Sequence, residues 1–106
     1  RTSNYLQHPG CQELPKRGFA ALCMNTRFDN NDFLVDWDLI ALDVKAGMEY
    51  LRKQAGIEKV VLFGHSGGGP TLSYYQAVAE NGTAFCKSPQ KLVPCRDELA
   101  NLPKGD

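Results

Sequence analysis

Ser66 is the residue of this chain whose surroundings are best arranged for chemistry. It lies in Gly64-His65-Ser66-Gly67-Gly68, directly after the apolar run Val60-Val61-Leu62-Phe63. A buried strand, a Gly-x-Ser-x-Gly turn and a helix start, in that order, make a nucleophile elbow, which pushes one serine out at the end of a strand. Gly64 and Gly68 would let strand and helix backbones approach closely, since a strained turn tolerates little bulk beside it. A serine becomes a nucleophile when a general base, most often histidine held by a carboxylate, takes its proton. The chain has two histidines, His8 and His65. His65 neighbours Ser66 on the turn, so its side chain should point away from the hydroxyl, and it reads as a packing residue under the turn. His8 lies far upstream, and no histidine follows Ser66. The pattern supplies a nucleophile without its base.

The elements that must position Ser66 can be read from the apolar spacing. Residues 18–24 form a continuous apolar run that suits a strand covered on both faces, as in a parallel sheet. Residues 25–32 are a polar loop leaving its end. Trp37, Ile40, Val44, Met48, Leu51 and Ala55 then recur at three- and four-residue spacing, which predicts an amphipathic helix. Asp36 or Asp38 caps its start, Glu49 and Lys53 make an i,i+4 pair, and Gly56 provides a left-handed stop. Residues 59–63 read as the second buried strand, and strand, crossover helix and parallel strand make a βαβ unit. Residues 70–79 read as a second helix with Pro70 in its first turn. Asn81-Gly82 ends it. Residues 83–106 hold Pro89, Pro94 and Pro103 with little periodicity and form an irregular extension, with one short turn at residues 98–102.

At 106 residues the chain is one domain at most. Its formal net charge of +0 gives no electrostatic reason to bind nucleic acid or anionic membrane. No apolar run approaches the ~20 residues of a membrane span. The chain opens on Arg1, so a processed or truncated start is expected. Cys11, Cys23, Cys86 and Cys95 allow three pairings, and their spacing does not choose among them. Cys86 and Cys95 flank a proline-containing loop and could bridge locally. Cys23, inside an apolar run, reads as a buried free thiol. None has the spacing of a zinc or redox site, and no cofactor or metal is implied. Asp29-Asn30-Asn31-Asp32 lacks the glycine and spacing of a calcium loop and reads as a solvated turn. Asn81-Gly82-Thr83 is an N-glycosylation triplet, a pattern that also arises by chance.

The order strand, helix, strand, Gly64-His65-Ser66-Gly67-Gly68, helix resembles the α/β-hydrolase family over residues 15–82. The resemblance implies a partial α/β fold: parallel strands with crossover helices in a three-layer αβα arrangement, its sheet incomplete. It implies that Ser66 is the nucleophile and that Gly67 N–H is one oxyanion donor, aided by the dipole of the following helix. His8-Pro9-Gly10 is a candidate remnant of the loop that gives the second donor, although the strand at Gly18 follows too soon for a full helix between. The family's acid and histidine lie on later strands that have no counterpart here. Asp97 is the one suggestive downstream acid. The substrate implied is a small ester or acyl compound. A complementary chain, or further segments of the same enzyme, would complete the sheet and supply the base. Trp37 and Met48 read as core, and Tyr74 and Tyr75 as sheet contacts.

Two other classes fit the same residues. One is a non-catalytic remnant or interaction module of the fold, which the missing base favours. The other is a phosphate-cradling loop, since residues 64–71 approach G-x-x-x-x-G-K-[ST]. Pro70 stands where that loop needs its lysine and also removes an amide donor, so the main phosphate contacts are lost.

Overall fold

A computed structural model describes residues 4–101 of the chain. Among them five α-helices follow in order: α1 (Pro9–Glu13), α2 (Trp37–Arg52), α3 (Gly68–Asn81), α4 (Thr83–Cys86) and α5 (Asp97–Ala100). The core is where α2, α3, α4 and α5 meet. Ala41 and Met48 on α2 face Tyr75, Val78 and Ala79 on α3, closed below by Cys86, Leu99 and Ala100. On α3 the buried positions are i, i+3 and i+4, the spacing of one helical face. Leu99 and Val78 are fully buried, so each contributes about 1.5–3 kcal/mol of apolar transfer.

Helix α2 forms where its periodicity predicts, with an altered stripe and end. Asp36 caps it, its carboxylate accepting from the N–H groups of Asp38 and Leu39 at 3.0 and 3.2 Å. Trp37, expected in the core, is 49% exposed because it is the first residue of the helix and overhangs the packed stripe. The helix ends at Arg52 rather than Ala55, and Gly56 takes its left-handed φ of 81° in the turn beyond. Lys53 is therefore the C-cap rather than a helical position, and Glu49 pairs back to Lys45 at 3.5 Å.

The expected α/β fold is not formed: among the described residues there is no strand and no sheet, and the chain is helical. The two runs read as strands do keep one-sided burial. Val60 and Leu62 pack on the core, while Val61 and Phe63 are 74% and 65% exposed, an alternation of period two. Run 18–24 lies across α2 at Gly47, where an added Cβ would stand 2.5 Å from Met24 Sδ. Phe19 and Leu22 remain exposed. The physical reason is layering. A parallel sheet needs both faces covered and more than two strands to be stable. Here α2 and α3 pack on each other and cover one face only, and α1 has five residues, too few for a second layer. Tyr75, expected against a sheet, is instead buried in the helical core.

Local ties replace the ladder. Cys11–Cys23 fastens α1 to run 18–24, and Cys86–Cys95 closes the loop after α4, with Cα separations of 6.1 and 5.0 Å. Cys23 is thus a bridge partner and not a free thiol; nothing local to residues 18–24 shows that α1 folds back onto them. In the C-terminal region Arg96 reaches Asp36 through two hydrogen bonds, at 2.9 and 2.7 Å, and its N–H donates to Asp38. The Tyr74 hydroxyl donates to the other Asp38 oxygen at 2.5 Å. Burial first, then that carboxylate, pushes the Tyr74 phenol far above its ordinary value. Arg96 holds the Asp36 carboxyl below its ordinary value against the opposing effect of desolvation. Arg27 makes a similar tie to α2, to Asp43 at 2.6 and 2.8 Å. The short turn expected at residues 98–102 is α5, shifted to Asp97–Ala100; Leu102 lies outside the described residues. Helix α4 carries no periodic signal and forms where Cys86 is drawn into the core.

Candidate active site

The turn at Ser66 is built from both sides by glycine. Gly64 enters it under the first turn of α3, where an added Cβ would stand 2.7 Å from Gly68 O and 2.8 Å from Gly69 N. Those are backbone atoms, so only glycine fits. A Cβ at Gly67, Gly68 or Gly69 would meet nothing within 4 Å, so the backbones of Gly64 and Gly68 do approach as expected, but only Gly64 lacks room for a side chain. The N–H groups of Gly68 and Gly69 donate to the carbonyls of His65 and Ser66 at 2.9 and 3.0 Å, which closes the turn and starts the helix.

Within residues 64–69 the one positive φ belongs to the serine: Ser66 has φ 54°. A residue with a Cβ loses about 1–2 kcal/mol in that region. Four of those six residues are glycine, yet the strained position is not. Ser66 is exposed, and its hydroxyl makes no hydrogen bond among the described residues. The N–H of Gly67, just before the first helical residue, is likewise free of a partner among them. Serine oxygen, open amide and helix N-terminus therefore lie together at one exposed point. Thr71 secures this first turn, its hydroxyl donating to Gly67 O at 2.9 Å. Pro70 occupies the α3 position at which a phosphate loop carries lysine.

The sequence does not reveal what sits beside the turn. His8 is brought against it from the N-terminal arm, its ring centroid 5.2 Å from His65 and 6.3 Å from Phe63. His8-Pro9-Gly10 thus lies next to Ser66's turn even though only the rest of α1 and a 3-10 turn separate it from run 18–24. Its amides are occupied. His8 N–H donates to Tyr5 O at 3.1 Å, Gly10 N–H donates to His8 Nδ1 at 3.0 Å, and Pro9 has none. A neutral His8 that accepts at Nδ1 carries its proton on Nε2 and is a donor there, not a base. Asp97 opens α5, exposed, and makes no described contact with the turn. No group of three or more potential metal ligands occurs among the described residues.

An open groove of about 540 Å³ runs between residues 62–64 and one face of α3, from Gly64 and Gly69 to Glu80 and Asn81. Ser66 does not line it. No helix of the described residues is long and apolar enough to cross a membrane. No protein-family model, curated protein or solved structure matches the chain.

Proposed function

We propose that Ser66 is the nucleophile of a serine hydrolase acting on small ester or similar acyl compounds, with the triad's acid and histidine lying outside this chain. The observation that carries this reading is the strained φ of 54° at the one non-glycine position able to act as nucleophile in a glycine-rich turn. A serine without a task would be replaced by glycine there at a gain in stability, and strain of this kind concentrates at functional positions. Ser66 Oγ would attack the carbonyl carbon. Gly67 N–H and the N-terminus of α3 would stabilise the oxyanion of the tetrahedral intermediate. A base held by a complementary chain, or by further segments of the same enzyme, would take the serine proton and return it to the leaving group. The exposed apolar faces of Phe19, Val61 and Phe63 support a missing layer of this kind. Neither nucleic acid nor a cofactor enters the reading.

The test is a fluorophosphonate probe applied to the complete protein, beside residues 1–106 alone assayed with a short-chain p-nitrophenyl ester. Labelling of Ser66 in the complete protein, lost in Ser66→Ala, with no turnover by residues 1–106, supports the proposal. Absence of labelling overturns the nucleophile and favours the non-catalytic module. Ser66-dependent turnover by residues 1–106 overturns the external base, and His8, His65 or a second copy then supplies it.

A further inference from the structure

We propose that Asn81 carries an N-linked oligosaccharide. Asn81-Gly82-Thr83 is the only Asn-x-Ser/Thr triplet in the 106 residues. The fold places it where a glycan can be borne. Asn81 is the last residue of α3 and its side chain is exposed. Gly82, at φ 61° and ψ −143°, ends the helix, so the attachment point sits at a bend rather than within a packed face. All four cysteines are paired among the described residues, which is the state of a chain that has passed through an oxidising compartment, where such transfer takes place.

The chemistry is a glycosyl transfer from a lipid-diphosphate-linked oligosaccharide. The bond from Asn81 Nδ2 to the anomeric carbon forms, the anomeric C–O bond to the diphosphate breaks, and Nδ2 gives up one proton as the lipid diphosphate departs. The folded structure accommodates the product. Nδ2 bears two hydrogens and uses one, donating to Ala77 O at 2.8 Å, so a glycosylated Asn81 keeps the hydrogen that this bond needs. The attachment point is at the far end of α3, roughly 20 Å along the helix from Ser66. Thr83 has a second role in the fold, its hydroxyl donating to Ala100 O at 2.6 Å.

The full chain is secreted from a eukaryotic host behind a cleavable leader, and its intact mass is measured before and after peptide-N-glycosidase. The expected result is a ladder of hexose and N-acetylhexosamine masses that the glycosidase collapses, leaving aspartate at position 81. Asn81→Gln and Thr83→Ala should each abolish the ladder, while Thr83→Ser, which keeps the hydroxyl, should retain it. Asn81→Gln keeps an amide and leaves Thr83 in place, so it remains informative if Thr83→Ala misfolds. A wild-type chain secreted with its disulfides formed but at its bare mass overturns the proposal, as does a ladder that survives Asn81→Gln.

Discussion

Replacing Gly64 by alanine tests whether the Ser66 turn is held by a backbone approach rather than by local glycine flexibility. The new methyl carbon would lie 2.7–2.8 Å from Gly68 O, Gly68 C and Gly69 N, inside any real carbon contact. None of those atoms ends a flexible side chain. Relief must come from moving the first turn of α3 away from residues 62–64, and overpacking of this kind costs about 1–3 kcal/mol. Gly68→Ala is the control. Its Cβ meets nothing within 4 Å, and alanine in a helix gains up to about 1 kcal/mol over glycine. The two variants should therefore differ by about 1–4 kcal/mol, on opposite sides of the parent. With roughly 4–8 °C per kcal/mol for a domain this size, the melting temperatures should separate by at least ~4 °C. Thermal unfolding followed by circular dichroism, with urea unfolding to give the free energies, measures this. Equal stability of Gly64→Ala and Gly68→Ala would refute the geometric argument, since the same residue change would then be insensitive to a 2.7 Å backbone approach.

Ser66→Gly should stabilise the protein by about 1–2 kcal/mol by releasing the positive-φ strain, whereas Ser66→Ala should leave stability near the parent, with both measured by urea unfolding. Leu99→Ala empties a fully buried position where α5 meets the core and should lose about 2–5 kcal/mol in the same assay. For Asp36 the folded pKa lies below the unfolded one, because Arg96 donates to its carboxylate. The pair's contribution is therefore complete above the unfolded pKa and is lost as pH falls through the folded value. Asn caps a helix as well as Asp, so Asp36→Asn keeps the cap and should flatten the loss of stability below about pH 5, which a pH series of urea midpoints will show.

The helical half of this fold is legible in the sequence because helices are specified by neighbours three and four residues away. Trp37 to Ala55 and Pro70 to Ala79 carry that spacing, and α2 and α3 form there, although α2 stops at Arg52 and leaves Trp37 half exposed. The strands are not legible in the same sense. Residues 60–63 are a continuous apolar run that reads as a buried strand, and the structure gives it one-sided, in-and-out burial instead, because a ladder is a relation between distant segments. Apolar composition cannot supply the second covering layer that a parallel sheet requires. The turn at Ser66 is local and could be anticipated from Gly64 and the helix start. The seat of His8 beside His65, and the bridge from Cys11 to Cys23, depend on where the N-terminal arm returns, and no spacing encodes that.

The two disulfides are consecutive along the chain and do not interleave. One closes a segment of sequence separation 12, the other of 9, and neither spans the interface between α2 and α3. Each can oxidise without waiting for the other, so correct pairing demands no particular order of threading. Small loops like these restrict the unfolded chain by roughly 2–4 kcal/mol apiece. They restrict only the two ends. The helical pair in the middle is joined by burial and by the hydrogen bond from Tyr74 to Asp38, with no covalent tie between the helices, so an oxidised chain can open at its centre like a book whose covers are each clasped to themselves. A protease cut between Ala55 and Lys59 would leave no covalent link between the two pieces, whatever the redox state.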